Sequence, residues 1–280
     1  MKAVCATDLS AASEAAIENE TCLECLGRIG VEKMHLVTVI PSNVHRGMPG
    51  INFEKRRKRA LSRYRSVIED AGFAVEIHVV RGTPHRRING IASTVGADLT
   101  VVGSRGESPL VNRVIGSTAR NLARTSVVPL LVNRIEREAE VPDVIRQHLF
   151  RRMLFATDFS ENAARAFDAF SYLRHATEEV LLVHVRTPKD PDPENADGAA
   201  RLASLASELE QWGIEIETEI RQGDPAAEIL AAEAAYEPAT VLLGSRGHSR
   251  LRRLLLGSVS EEIVARSGGN VLLVPPERKA

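Results

Sequence analysis

Met-Leu-Phe-Ala-Thr at 153–157 and Val-Leu-Leu-Val-His-Val at 180–185 are short apolar runs without alternation. Such runs predict strands buried on both faces of a sheet. Thr-Val-Leu-Leu-Gly at 240–244 and Val-Leu-Leu-Val at 271–274 are of the same kind. Ile-Glu-Ile-Glu-Thr-Glu-Ile at 214–220 alternates strictly instead, which predicts a half-exposed edge strand. Between these runs the period lengthens. Ala163, Phe167 and Phe170 fall at i, i+4 and i+7 on a helix that Ser160 caps. A long helix is predicted over about 195–212, and Asp224-Pro225 opens the next with a cap and a proline at its first position.

The first half carries a matching series of strands, at 2–7, 33–40, 74–80, 98–103 and 127–132. Short motifs repeat in the same order. Val-Cys-Ala-Thr-Asp-Leu-Ser at 4–10 returns as Leu-Phe-Ala-Thr-Asp-Phe-Ser at 154–160, and Arg-Gly-Thr-Pro at 81–84 returns as Gln-Gly-Asp-Pro at 222–225. The chain is one fold written twice. Residues 1–133 form the first domain, 134–150 a charged, proline-containing linker, and 151–280 the second domain. Five strands joined by helical crossovers require a parallel sheet with helices on both faces, so the fold class is α/β, two tandem open parallel five-stranded sheets.

Composition narrows the classes. A chain of 280 residues accommodates two domains, and 44% apolar residues with one Trp imply aliphatic cores. The net charge of −1 gives no general reason to expect nucleic acid or an anionic membrane as partner. No apolar run is long enough to span a bilayer, and three cysteines are too few for a disulfide scaffold. A cytoplasmic protein is expected.

The chemistry lies in two glycine cassettes. Gly103, Gly106, Gly116 and Ser117 share their spacing with Gly244, Gly247, Gly257 and Ser258. Gly103 and Gly244 end the fourth strand of each copy, where ligands of open α/β sheets bind. Glycine there can take positive φ and lets another group approach the backbone. The Gly-Ser pairs precede helices, whose free N–H groups and positive dipole ends favour an anion. A phosphate nest is the implied site. It takes in Ser104, Arg105 and Thr118 in the first copy, and Ser245, Arg246 and Val259 in the second. Arg246, Arg252 and Arg253 face the phosphates or water, and Leu254, Leu255 and Leu256 anchor the loop.

With these motifs the sequence resembles the universal stress protein family in a tandem two-domain form. The features are Ala-Thr-Asp-x-Ser after the first strand, Thr-Val or His-Val in the second, and G-x2-G-x9-G-S after the fourth. The resemblance implies a Rossmann-like strand order 3-2-1-4-5 and binding of ATP, ADP or AMP, with Mg as a possible companion. It implies that Ala6, Thr7, Asp8 and Val39, and Ala156, Thr157, Asp158 and Val185, lie by the adenine. The glycines and serines would hold ribose and phosphates. It also implies an internal pseudo-dimer through the last strands, and it allows a homodimer of chains. No catalytic base, metal ligand set or nucleophile is common to both copies, so the expectation is a regulatory protein, non-catalytic or slowly hydrolysing. The alternative is a nucleotide-independent scaffold with one or both pockets degenerate.

Other signals have plainer readings. Cys22 and Cys25 share a helix face and read as buried thiols; zinc would need two further ligands, drawn from His35 or His45. The basic run Lys55–Arg59 reads as a solvated helix face. Ser267-Gly268-Gly269 reads as a glycine helix stop.

Overall fold

A computed structural model describes residues 1–10, 13, 19–42, 53–104, 115–134, 148–187, 197–247 and 256–277. The chain divides into two units, Met1–Arg146 and Gln147–Ala280. Most of the connecting segment expected at 134–150 lies outside the described residues.

In the first unit β1 (Lys2–Ala6) is followed by α1 (Glu20–Arg28), β2 (Lys33–Ile40), α2 (Phe53–Asp70) and β3 (Ala74–Arg81). Then come α3 (Pro84–Val95), β4 (Leu99–Gly103), α4 (Ser117–Thr125) and β5 (Leu130–Asn133). All pairings are parallel and the order is β3-β2-β1-β4-β5. The central strand β1 sets Ala3 beside both Met34 and Leu99, and all three are buried. Burial on both faces explains why this strand shows no alternation. β5 starts three residues later than the sequence reading. Pro129 has no N–H to give the ladder, and its carbonyl instead accepts from Thr100 N at 2.8 Å before the strand begins.

The second unit repeats the plan: β6 (Arg152–Ala156), α5 (Glu161–Phe167), α6 (Phe170–Leu173), β7 (Glu179–Arg186), α7 (Asp197–Glu210) and β8 (Glu215–Gln222). It closes with α8 (Pro225–Tyr236), β9 (Thr240–Gly244), α9 (Ser258–Arg266) and β10 (Asn270–Val274). The order is β8-β7-β6-β9-β10, again parallel. The alternating segment forms β8, which ends the series as expected of an edge strand.

Two helix starts follow the sequence closely. Ser160 Oγ accepts from Ala163 N at 3.2 Å, and Asp224 Oδ1 accepts from Ala227 N at 3.0 Å with Pro225 next in line. The helix expected through Phe170 breaks, however. Around Asp168 and Ala169 the chain tightens into i→i+3 bonds, Ser171 N to Asp168 O and Tyr172 N to Ala169 O. Phe167 and Phe170 nevertheless both pack on Phe155, at ring separations of 5.6 and 6.0 Å. Among the described residues no helix is long and apolar enough to cross a membrane.

Candidate functional site

The strand ends of the second unit bring the two motifs together. β6 and β9 run side by side in register Ala156↔Leu243, so Thr157-Asp158 and Gly244-Ser245 leave the sheet next to each other. Thr157 N bonds Val183 O at 2.9 Å, extending the ladder by one residue, and Val185 lies two positions farther along β7. The chain then turns sharply. Thr157 Oγ1 accepts from Phe159 N at 2.9 Å, and Asp158 Oδ1 accepts from Ser160 N at 3.0 Å. Phe159 takes φ +58°, a left-handed conformation that costs a non-glycine residue energy and is held by its surroundings.

The first unit repeats this turn. Leu9 has φ +67°, Thr7 Oγ1 accepts from Leu9 N at 3.0 Å, and Asp8 Oδ1 accepts from Ser10 N at 3.0 Å. Asp8 Oδ1 also takes the Ser13 hydroxyl at 2.8 Å. In both copies the aspartate Oδ1 thus holds its own turn.

Beyond β9 the cassette closes on itself. Ser245 N donates to Val274 O at 2.8 Å, and Gly257 N donates back to Ser245 O at 2.9 Å. Gly257 caps α9 with φ −64° and ψ 146°, and no side chain caps the helix. Ser258 and Val259 are its first residues, so their amides open towards the strand ends. In the first unit Gly116 N bonds Ser104 O at 2.8 Å, and Gly116 likewise caps α4, which starts with Ser117 and Thr118, without a side-chain bond. Gly103 ends β4 as its counterpart ends β9. Arg105 and Gly106 lie outside the described residues, as do Arg252, Arg253, Leu254 and Leu255; Leu256 is half-buried.

The glycines of the second cassette have distinct reasons. Gly244 is not left-handed, contrary to one reason offered by its sequence position. A Cβ there would sit 3.0 Å from Asn162 O and 3.1 Å from Asn162 C, so a side chain would force the Asn162 backbone to give way. A Cβ at Gly247 would run into Asp158 Oδ2, which shows how near the cassette comes to the aspartate turn. At Gly257 the nearest atoms are all at 3.5 Å, ordinary contact.

Several residues that hold this geometry escape a comparison of the two copies. Asn162 donates to Val274 O at 3.0 Å and accepts from Arg246 N at 2.9 Å, and Ser260 Oγ donates to Gly244 O at 2.9 Å. The first copy has Ala12 and Ala119 at the matching positions, so repetition gave no signal. His184 Nδ1 donates to Thr157 O at 2.9 Å, and its ring lies 4.6 Å from Phe159, which Arg201 covers on its guanidinium face at 4.2 Å.

The remaining signals resolve simply. Cys5, Cys22 and Cys25 are buried, and burial pushes the Cys5 thiol up to about 12 and Cys22 to about 11. His35 does not approach the cysteine pair but meets His78 and Glu76; His45 lies outside the described residues. Lys55, Arg56, Lys58 and Arg59 are exposed, whereas Arg57 turns inward and donates to Thr38 Oγ1 at 2.7 Å. After α9 the chain stops at Ser267 rather than on a left-handed glycine. The buried Glu233 Oε1 accepts from Ser267 Oγ at 2.7 Å and Gly269 N at 2.8 Å, and Pro238 O lies 3.0 Å from where a Gly269 Cβ would be.

Comparison with known proteins places this architecture. The crystal structure of a universal stress protein from Archaeoglobus fulgidus superposes with a TM-score of 0.74 at 26% identity, covering 98% of each chain. A universal stress protein of Mycolicibacterium smegmatis is 25% identical over 244 residues, 80% of this chain and 78% of its own. One from Methanocaldococcus jannaschii is 27% identical over 149 residues, 48% of this chain and 86% of its own. The universal stress protein family profile matches residues 1–134 and again 149–275. The chain therefore belongs to the universal stress protein family.

Proposed function

We propose that the chain binds an adenine nucleotide, as ATP, ADP or AMP with Mg as a possible companion, at the strand ends of its second unit. It then acts as a regulator of the stress response rather than as a catalyst. The observation that carries this reading is the start of α9. A nine-residue helix opens at Gly257 without a side-chain cap, and Gly257 N is tied to Ser245 O so that the following amides face the strand ends. Such a terminus favours a phosphate. Ala156, Thr157, Asp158 and Val185 stand across from it as the adenine side, and Gly244, Ser245, Arg246, Gly247, Ser258 and Val259 form the phosphate side. The reading assigns one cradle to each domain, residues 1–133 and 151–280, with 134–150 between them. In the first, the cradle comprises Ala6, Thr7, Asp8 and Val39 with Gly103, Ser104, Gly116, Ser117 and Thr118.

Denaturing the purified chain and identifying released nucleotide by mass spectrometry tests the reading, together with calorimetry of ATP on Gly257→Ala. Released adenine nucleotide is expected, and so is affinity weakened about tenfold, because the added methyl would crowd a phosphate brought up to the α9 amides. Undiminished affinity in the variant would remove the phosphate assignment. ATP turnover faster than about 1 per second would make the chain an enzyme.

A further inference from the structure

At the middle of β2 and β3, away from the glycine cassettes, three metal-competent side chains meet. His35 lies opposite Glu76 in the strand register, and His78 follows Glu76 by two residues, on the same face of β3. His35 Nδ1 and His78 Nε2 are 3.0 Å apart, Glu76 Oε2 is 3.7 Å from His35 Nδ1, and Glu76 Oε1 is 3.8 Å from His78 Nε2. We propose that His35 Nδ1, His78 Nε2 and a Glu76 carboxylate oxygen bind a divalent transition cation, Zn2+ being the best match.

Ligand spacing carries the argument. Zinc bonds to imidazole and carboxylate of about 2.0–2.2 Å at tetrahedral angles put neighbouring ligand atoms about 3.3–3.5 Å apart. The two imidazole nitrogens are 3.0 Å apart, Glu76 Oε1 stands 3.8 Å from His78 Nε2 and Oε2 3.7 Å from His35 Nδ1, and one ligand atom from each of the three side chains lies within 4.8 Å of the others, so a small closure completes the triangle. Two imidazoles and one carboxylate suit zinc better than calcium or magnesium, which prefer all-oxygen shells.

The surroundings fit. Lys33 Nζ grips Glu76 Oε2 at 2.9 Å, orienting the carboxylate and leaving Oε1 towards His78. Hydrogen bonds of this outer kind commonly fix ligating carboxylates. Lys33, through its hydrogen bond and then its charge, holds the Glu76 carboxyl below its ordinary range. His35 Nε2 has no hydrogen-bond partner among the described residues, so the ring's polar engagement is through Nδ1. Glu76 is half-exposed, which gives the ion a path in and leaves the fourth position to water.

The second unit supplies an internal contrast. Its corresponding register sets Leu181 beside Glu217 and Val183 beside Glu219, with no imidazole at any of the three positions. Among the described residues this makes one such site.

The test uses the full chain, freed of any polyhistidine tag and stripped with chelator. Titration with Zn2+ by calorimetry should give one ion per chain, and His78→Ala should weaken it about tenfold or more, at least the cost of losing an outer-shell partner. In long-range proton–nitrogen spectra of the wild-type chain, one imidazole should respond through Nδ1 and another through Nε2; this readout needs no variant to fold. Co2+ should give the absorption of a nitrogen–oxygen site with no thiolate charge-transfer band. Absence of stoichiometric binding, undiminished binding in a folded His78→Ala chain, or a thiolate band pointing to Cys22 and Cys25 would each overturn the proposal.

Discussion

The Asn162 carboxamide accepts the Arg246 backbone N–H at 2.9 Å while its amide nitrogen donates to Val274 O at 3.0 Å. One buried side chain thus ties the loop after β9 both to the helix after β6 and to the end of β10. Val274 O also receives Ser245 N and keeps a partner if Asn162 is lost, whereas Arg246 N loses the bond that fixes it. Asn162→Ala should therefore cost about 1–3 kcal/mol in urea unfolding. It should also weaken nucleotide binding in calorimetry, because Arg246 is no longer held. A variant with wild-type affinity would place Arg246 outside the cradle.

Gly244 and Gly257 stand at equally suggestive places in the motif, but alanine should affect them differently. At Gly244 the new methyl meets Asn162 backbone at 3.0 and 3.1 Å, and backbone yields little. Overpacking of this kind costs about 1–3 kcal/mol. At Gly257 every neighbour is at 3.5 Å and the backbone angles suit any residue, so alanine should cost under about 1 kcal/mol. Parallel urea melts check the difference. Gly257→Ala is accordingly the cleaner probe of ligand binding, since its fold should stay intact.

Strand positions were largely legible from the sequence because burial on both faces writes continuous apolar runs, whereas their order came from the family resemblance. The second unit's β9 and the cap at Asp224 fall where pattern and residue chemistry put them. The misses have physical causes. Pro129 delays β5 through its missing N–H, which an apolar count does not register. The fastening by Asn162 and Ser260 depends on contacts between separate elements, 84 and 16 residues apart, at positions where the two copies differ. The His35–Glu76–His78 cluster arises from strand register, and spacing within one strand shows only two of its three members.

His184, Phe159 and Arg201 form a stack over the turn that presents Asp158. His184 Nδ1 donates to Thr157 O, and the left-handed Phe159 is in contact with both the imidazole and the guanidinium. Arg201→Ala should cost about 0.5–1 kcal/mol, the scale of an exposed cation–π contact. His184→Ala removes a hydrogen bond and a ring contact together and should cost about 1–2 kcal/mol. Thermal melts of the two single variants and the double variant separate the contributions. Strictly additive losses would show that the two side chains do not act on Phe159 together.

The buried thiols make alkaline pH a sensitive variable. From an ordinary value of 9.0, burial raises Cys5 to about 12 and Cys22 to about 11; for Cys22 a hydrogen bond from Asn133 opposes the rise. A raised thiol pKa means that the folded chain binds the proton more tightly than the unfolded chain does. The associated stability is fully present below pH 9 and is lost as pH climbs through 11 and 12. Urea midpoints should therefore be flat with respect to these groups up to about pH 8.5 and fall steeply above it. Cys22→Ala should make the decline shallower by removing one titrating group. At pH 8 a disulfide reagent should label Cys5 and Cys22 slowly in the native chain and rapidly in urea, since both low thiolate fraction and burial protect them. Rapid native labelling at either position would show that the strand or helix carrying it opens readily, and the alkaline decline should then disappear for that residue.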